Sequence, residues 1–155
     1  MDTLPQRFIK IVNERTSNIA TYHKDDQKEF QPTTYSQLLN EVTLLAQSFT
    51  KINIKRGDHV AIISDTRREW LIIDLALLGI GAADVPRGND STAEELLYIL
   101  NHAECKTVFV ENLEQAKKIC SISKQASNLK NMVIIEGYNP KALSEEKQIQ
   151  KYKIQ

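Results

Sequence analysis

The stretch Lys55-Arg56-Gly57-Asp58-His59-Val60-Ala61-Ile62-Ile63 decides the fold. Its first four residues read as a turn. The run Val60-Ala61-Ile62-Ile63 is continuously apolar, as expected of a strand buried on both faces. Thr66 and Glu69 then stand at capping-box spacing before an apolar segment over residues 70–80, and Gly79 and Gly81 are expected to end that helix. Strand, turn and helix in this order predict a β-α unit.

The same alternation continues outward. Residues 82–85 predict a short strand that Pro86 stops, because proline cannot donate to a ladder. Asp90, Ser91 and Thr92 offer caps, Glu95 follows Thr92 at capping-box spacing, and Leu96, Leu97, Ile99 and Leu100 make the next helix. Strands over 107–110 and 132–135 flank a helix over 113–122. Upstream, Leu4, Phe8, Ile11 and Val12 share a helical face that ends near Asn13, and extended runs over 19–23 and 29–33 suggest a small N-terminal hairpin. Thr34 and Gln37 form a further capping box before Leu38, Leu39, Val42, Leu45, Ala46 and Phe49. The predicted class is α/β: a partial doubly wound, mostly parallel sheet with flanking helices and the hairpin. After Glu136 the pattern stops. Gly137-Tyr138-Asn139-Pro140 is a breaker, and residues 137–155 read as a polar tail.

Composition excludes several functions. The 155 residues carry 20 Lys and Arg against 20 Asp and Glu, so no net basic field attracts nucleic acid or anionic lipid. The longest apolar stretch, residues 70–83, contains Asp74 and is shorter than the roughly twenty residues of a membrane span. No transmembrane segment is expected, and the first ten residues lack a secretory signal pattern, so a cytoplasmic location is expected. Cys105 and Cys120 form no C-x-x-C pair and read as packing thiols.

The apparent motifs read mostly as structure. Gly79-Ile80-Gly81 closes a helix, whereas a dinucleotide fingerprint must open one. His102-Ala103-Glu104 has the H-x-E spacing of zinc deaminases but no P-C-x-x-C follows. His23 and His59 read as surface residues, and Asp25-Asp26, Glu94-Glu95 and Glu145-Glu146 as solvated pairs. Asp74 interrupts an apolar helix, which implies a partly exposed face or a local hydrogen bond. A phosphate cradle needs clustered glycines, yet the five glycines stand apart, at 57, 79, 81, 88 and 137.

Taken in register, Thr34-Tyr35-Ser36-Gln37-Leu38, Ile54-Lys55-Arg56-Gly57-Asp58-His59-Val60-Ala61-Ile62, Glu69-Trp70 and Leu77-Leu78-Gly79-Ile80-Gly81-Ala82-Ala83-Asp84-Val85-Pro86 resemble the N-terminal region of adenylate-forming (AMP-forming) acyl-CoA synthetases. Asp84-Val85-Pro86-Arg87-Gly88-Asn89-Asp90-Ser91-Thr92 looks like the long-chain fatty acid–CoA ligase branch, and Tyr98-Ile99-Leu100-Asn101-His102-Ala103-Glu104 continues the likeness. The resemblance implies that residues 1–136 are an incomplete, N-terminal part of an AMP-binding synthetase domain. A complete enzyme of this kind uses ATP, Mg2+ and CoA to turn a fatty acid into an acyl-adenylate and then acyl-CoA, and peripheral membrane association is open to it. The family's phosphate loop, adenine and ribose segments and catalytic lysine region have no counterpart in these residues. The resemblance therefore assigns no catalytic, cofactor-binding or metal-binding residue and implies no cofactor and no activity for this chain alone. The alternative is a non-catalytic assembly module that docks on a complementary synthetase fragment or an intact synthetase. An unrelated small nucleotide-binding α/β protein is disfavoured by the missing glycine loop.

Overall fold

The computed structural model describes residues 2–24 and 27–135. Helix α1 (Leu4–Glu14) precedes a hairpin of β1 (Ile19–Lys24) and β2 (Phe30–Thr34), and α2 (Tyr35–Lys51) leads into the main sheet. There follow β3 (His59–Ile63), α3 (Arg68–Ile80), β4 (Ala83–Arg87), α4 (Ala93–His102), β5 (Thr107–Val110), α5 (Leu113–Ile122) and β6 (Asn131–Ile134). The four main strands are all parallel in the order β4-β3-β5-β6, while β1 and β2 pair antiparallel.

Side-chain alternation along the strands divides the core in two. Val60, Ile62 and Phe109 point to one face, where Leu38, Val42 and Phe49 of α2 and Ile72, Ile73, Ala76 and Leu77 of α3 cover them. Ala61, Ile63, Val108 and Val110 point to the other, under Leu96 and Leu100 of α4 and Ala116 and Ile119 of α5. Apolar residues on both faces are why β3 and β5 read as unbroken apolar runs.

Local signals set most boundaries. Thr34 and Thr92 close the capping boxes with Gln37 and Glu95, and Thr3 closes another with Gln6. Three expectations need correction. Thr66 does not cap α3: the N-cap is Arg67, which makes no side-chain capping bond, and Glu69 is taken by Arg67 Nε at 2.7 Å. Gly79 does not end α3, which runs on through Ile80. Gly81 ends it alone, with φ +78° in the left-handed region and its N–H returning to the Leu77 and Leu78 carbonyls. Pro86 does not stop β4 either. It pairs with Ile62 inside the strand, because β4 is an edge strand and its missing N–H need serve no second neighbour. The breaker at Gly137, the tail over 137–155 and the pairs Asp25-Asp26 and Glu145-Glu146 lie outside the described residues.

Candidate functional site

In an open parallel sheet, ligands gather at the carboxyl ends of the strands where successive connections leave on opposite faces. Here β3 leads into α3 on one face and β5 leads into α5 on the other, so the crevice lies between the ends of β3 and β5.

Glu111, the residue after β5, fills that crevice. Its Oε2 accepts from Ser64 Oγ at 3.0 Å, the Asp65 N–H at 2.9 Å and Asn89 Nδ2 at 2.8 Å. Its Oε1 lies 4.0 Å from Arg67 Nη1. Burial alone would raise this carboxyl's pKa, but the bonds from Asn89, Asp65 and Ser64 and the Arg67 charge outweigh it and hold the group below its ordinary value. A second layer fixes the loop after β4: Lys118 Nζ donates to the carbonyls of Asn89 at 2.9 Å and Ser91 at 2.8 Å, and Gln115 Nε2 donates to Asn89 O at 3.3 Å. The amide oxygens of Asn89 and Gln115 are buried without a protein partner. One carboxylate thus ties together the ends of β3, β4 and β5.

That arrangement is a clamp. A carboxylate already holding three donors is neither a free base nor a phosphate receptor, since its charge repels phosphate. Two of the neighbouring helix N-termini are also capped from within, α4 by Thr92 and α5 by Asn112. Among the described residues no three His, Cys, Asp or Glu side chains converge on a point a metal could occupy. Among the described residues the crevice thus offers neither a phosphate cradle nor a metal-ligand cluster, and no chemical step is derived through ATP, Mg2+ or CoA.

The other singled-out residues sit elsewhere. His59 lies at the amino edge of β3, where Nδ1 donates to the Ala103 carbonyl at 2.7 Å. His23 is half-buried in the hairpin beside Thr33, and His102 stacks on Tyr98 with ring centroids 5.5 Å apart. Cys105 is buried, which pushes its thiol up to about 11, and burial raises Cys120 as well; both are free.

Asp74 of α3 shares a hydrogen bond with Asp84 of the neighbouring β4. Burial first, and then the Asp84 charge, push Asp74 up to about 6 from 3.8. A carboxyl raised in the fold stabilises fully below its unfolded value, and that contribution is lost as pH rises from about 4 through about 6. Asp74→Asn should therefore stabilise the chain at pH 7.5 by about 1 kcal/mol after solvent screening, a midpoint gain of about 2–4 °C. Thermal melts at pH 7.5 and pH 4 check this. Equal gains at both pH values would show that the proton is not shared.

Residues 10–154 match the AMP-binding enzyme family. The chain belongs to that family. Among AMP-binding relatives, the long-chain-fatty-acid–CoA ligase FadD15 of Mycobacterium tuberculosis is 32% identical over 110 residues, 71% of this chain and 18% of the relative. The chloroplastic long-chain-fatty-acid–[acyl-carrier-protein] ligase AEE15 of Arabidopsis thaliana is 27% identical over 139 residues, 90% of this chain and 19% of the relative. The crystallised N-terminal domain of FACL13 from M. tuberculosis superposes with TM-score 0.76 at 18% identity, covering 100% of this chain and 38% of that one. The fold is thus that of the N-terminal part of AMP-binding enzymes. The chain spans under a fifth of these two curated relatives' length. Among the described residues no helix is long and apolar enough to cross a membrane.

Proposed function

We propose that this chain is the N-terminal scaffold of a long-chain fatty acid–CoA ligase and that residues 1–155, produced alone, do not make acyl-CoA. The reaction assigned to the whole ligase activates a fatty acid with ATP and Mg2+ and passes the acyl group to CoA. The observation that carries the reading is the Glu111 clamp. In a chain whose relatives include long-chain-fatty-acid–CoA ligases, the one buried carboxylate of this crevice is given over to joining β3, β4 and β5. Incubating the chain with ATP, Mg2+, palmitate and CoA should release no pyrophosphate above a protein-free control. Turnover that survives repurification would refute the assignment of inactivity.

A second reading is favoured by the sheet edge. Among the described residues β6 pairs with β5 alone, and its Met132, Val133 and Ile134 are half-buried. Such an edge offers backbone groups and apolar side chains to a complementary synthetase fragment or to an intact synthetase. Size-exclusion chromatography of the chain, with and without an intact ligase, tests this. A compact monomer that never shifts in elution speaks against docking.

A further inference from the structure

The amino edge of the main sheet, at the opposite strand ends from the Glu111 crevice, holds a polar cavity of about 140 Å³. Three lysines on its wall come from three different connections: Lys55 from the turn into β3, Lys106 just before β5 and Lys130 just before β6. The last two are fixed side by side, because the Lys106 carbonyl accepts the N–H groups of both Lys130 at 2.8 Å and Asn131 at 3.0 Å. Among the described residues Asp58 is the one carboxylate on the wall. It is fully engaged: Oδ1 accepts from Lys106 Nζ at 3.0 Å and Oδ2 from the Lys55 N–H at 2.8 Å. Burial alone would raise its pKa, but those bonds and the charges of both lysines hold it below its ordinary value, so it stays ionised and offsets one ammonium.

With His59 neutral, three ammonium groups against one carboxylate leave two positive charges at this cavity, in a chain whose formal net charge is zero. Neither Lys55 nor Lys130 forms an ion pair of its own among the described residues. A cleft lined by one sign of charge concentrates its counter-ion. Size narrows the choice of that ion: at about 30 Å³ per water the cavity has room for about four or five water-sized groups. That is one central atom with four oxygens, and far less than a nucleotide or an acyl chain needs. We propose that the cavity binds one tetrahedral oxyanion of the phosphate or sulfate class, whose two charges match the two uncompensated ammonium groups, and that the ion ties together the starts of β3, β5 and β6. The inference does not rest on the ligase reading, since neither ATP nor CoA enters it.

The test is titration of the full, isotope-labelled chain with sodium sulfate, sodium phosphate and glycerol phosphate, at an ionic strength held constant with sodium chloride and followed by amide chemical shifts. Saturable shifts are expected at Lys106, Lys130 and Asn131, with none at Asp65 or Glu111. Lys130→Gln should weaken sulfate about fivefold, and Asp58→Asn, which keeps an acceptor but removes the competing charge, should tighten it a few-fold. Combining Lys55→Gln with Lys130→Gln removes both uncompensated charges and should abolish saturable binding. Both lysines are exposed, so the double variant should fold as the wild type does. Glycerol phosphate binding as tightly as phosphate supports the site with a phosphomonoester as the source of the group, and binding of the inorganic ions alone supports it with the free ion. Shifts that never saturate, that chloride reproduces, or that keep their affinity in the double variant would each overturn the assignment.

Discussion

Phe49→Ala is expected to destabilise the chain by about 3–5 kcal/mol, a large share of the roughly 5–15 kcal/mol that holds a typical domain together. Phe49 is 1% exposed and lies near the end of α2, over the sheet face that α2 and α3 share. Its ring meets Phe109 of β5 with centroids 5.4 Å apart and planes tilted by 54°. Truncation removes the transfer energy of a whole aromatic ring, loses the tilted ring pair and leaves a cavity that α2, tied to α3 and capped at its start, can close only in part. At one end, α2 is pinned by the Thr34 box. Midway it is held by the Glu41 carboxylate, which accepts from Arg68 of α3. Urea unfolding followed by far-UV circular dichroism measures the loss. A change below about 1 kcal/mol would mean that α2 is not docked as described.

Glu111→Ala is the second large effect, expected at about 2–4 kcal/mol. The substitution removes the acceptor that the Asp65 N–H and Asn89 Nδ2 share, while the Ser64 hydroxyl can turn to the Asp65 carbonyl 2.9 Å away. Asn89 is half-buried, so its amide N–H loses a partner that water does not fully replace. Glu111→Gln keeps the shape and one acceptor oxygen but loses the charge facing Arg67, and it should show roughly half the deficit. Because the carboxyl is held below its ordinary pKa, its stabilisation is present above the unfolded value and is lost as pH falls through the folded one. The wild-type advantage over Glu111→Gln should accordingly shrink in acid. Amide hydrogen exchange gives a local readout: the Asp65 N–H should exchange faster in both variants, while amides within α1 should not change.

These two sites differ in how far the sequence discloses them. Phe49 is legible as core because it continues the helical repeat from Leu38 through Val42 and Leu45, and period needs only near neighbours. The Glu111 clamp was not legible. Its partners stand 22 to 47 residues away along the chain, and no spacing rule links a glutamate after one strand to a serine after another. The only available hint was position, since each residue follows or lies near the end of a strand where an α/β sheet places its polar groups. Asp74 lies between these cases. Its place in an apolar helix called for a partly exposed face or a local hydrogen bond, but the partner, Asp84, is another acid, and only the packing of α3 beside β4 reveals it.

The boundary errors have the same origin. Thr66 and Glu69 satisfy a spacing rule, yet Arg67 competes for the glutamate and takes the cap position. Pro86 obeys a rule about ladders that binds only in strands with two neighbours, and the sequence does not say that β4 has one. By itself the sequence determined the β-α alternation, the helix starts at Thr34 and Thr92, a helix stop in the Gly79–Gly81 stretch and the two-faced apolar strands. All of these follow from interactions within one or two turns of chain or from a strand's own alternation. Only the tertiary structure decided the order β4-β3-β5-β6, the convergence of Ser64, Asn89 and Glu111, and the lysine-lined cavity at the amino edge of the sheet. Those depend on which helix crosses which face of the sheet, a choice made by long-range burial that no local stretch of residues encodes.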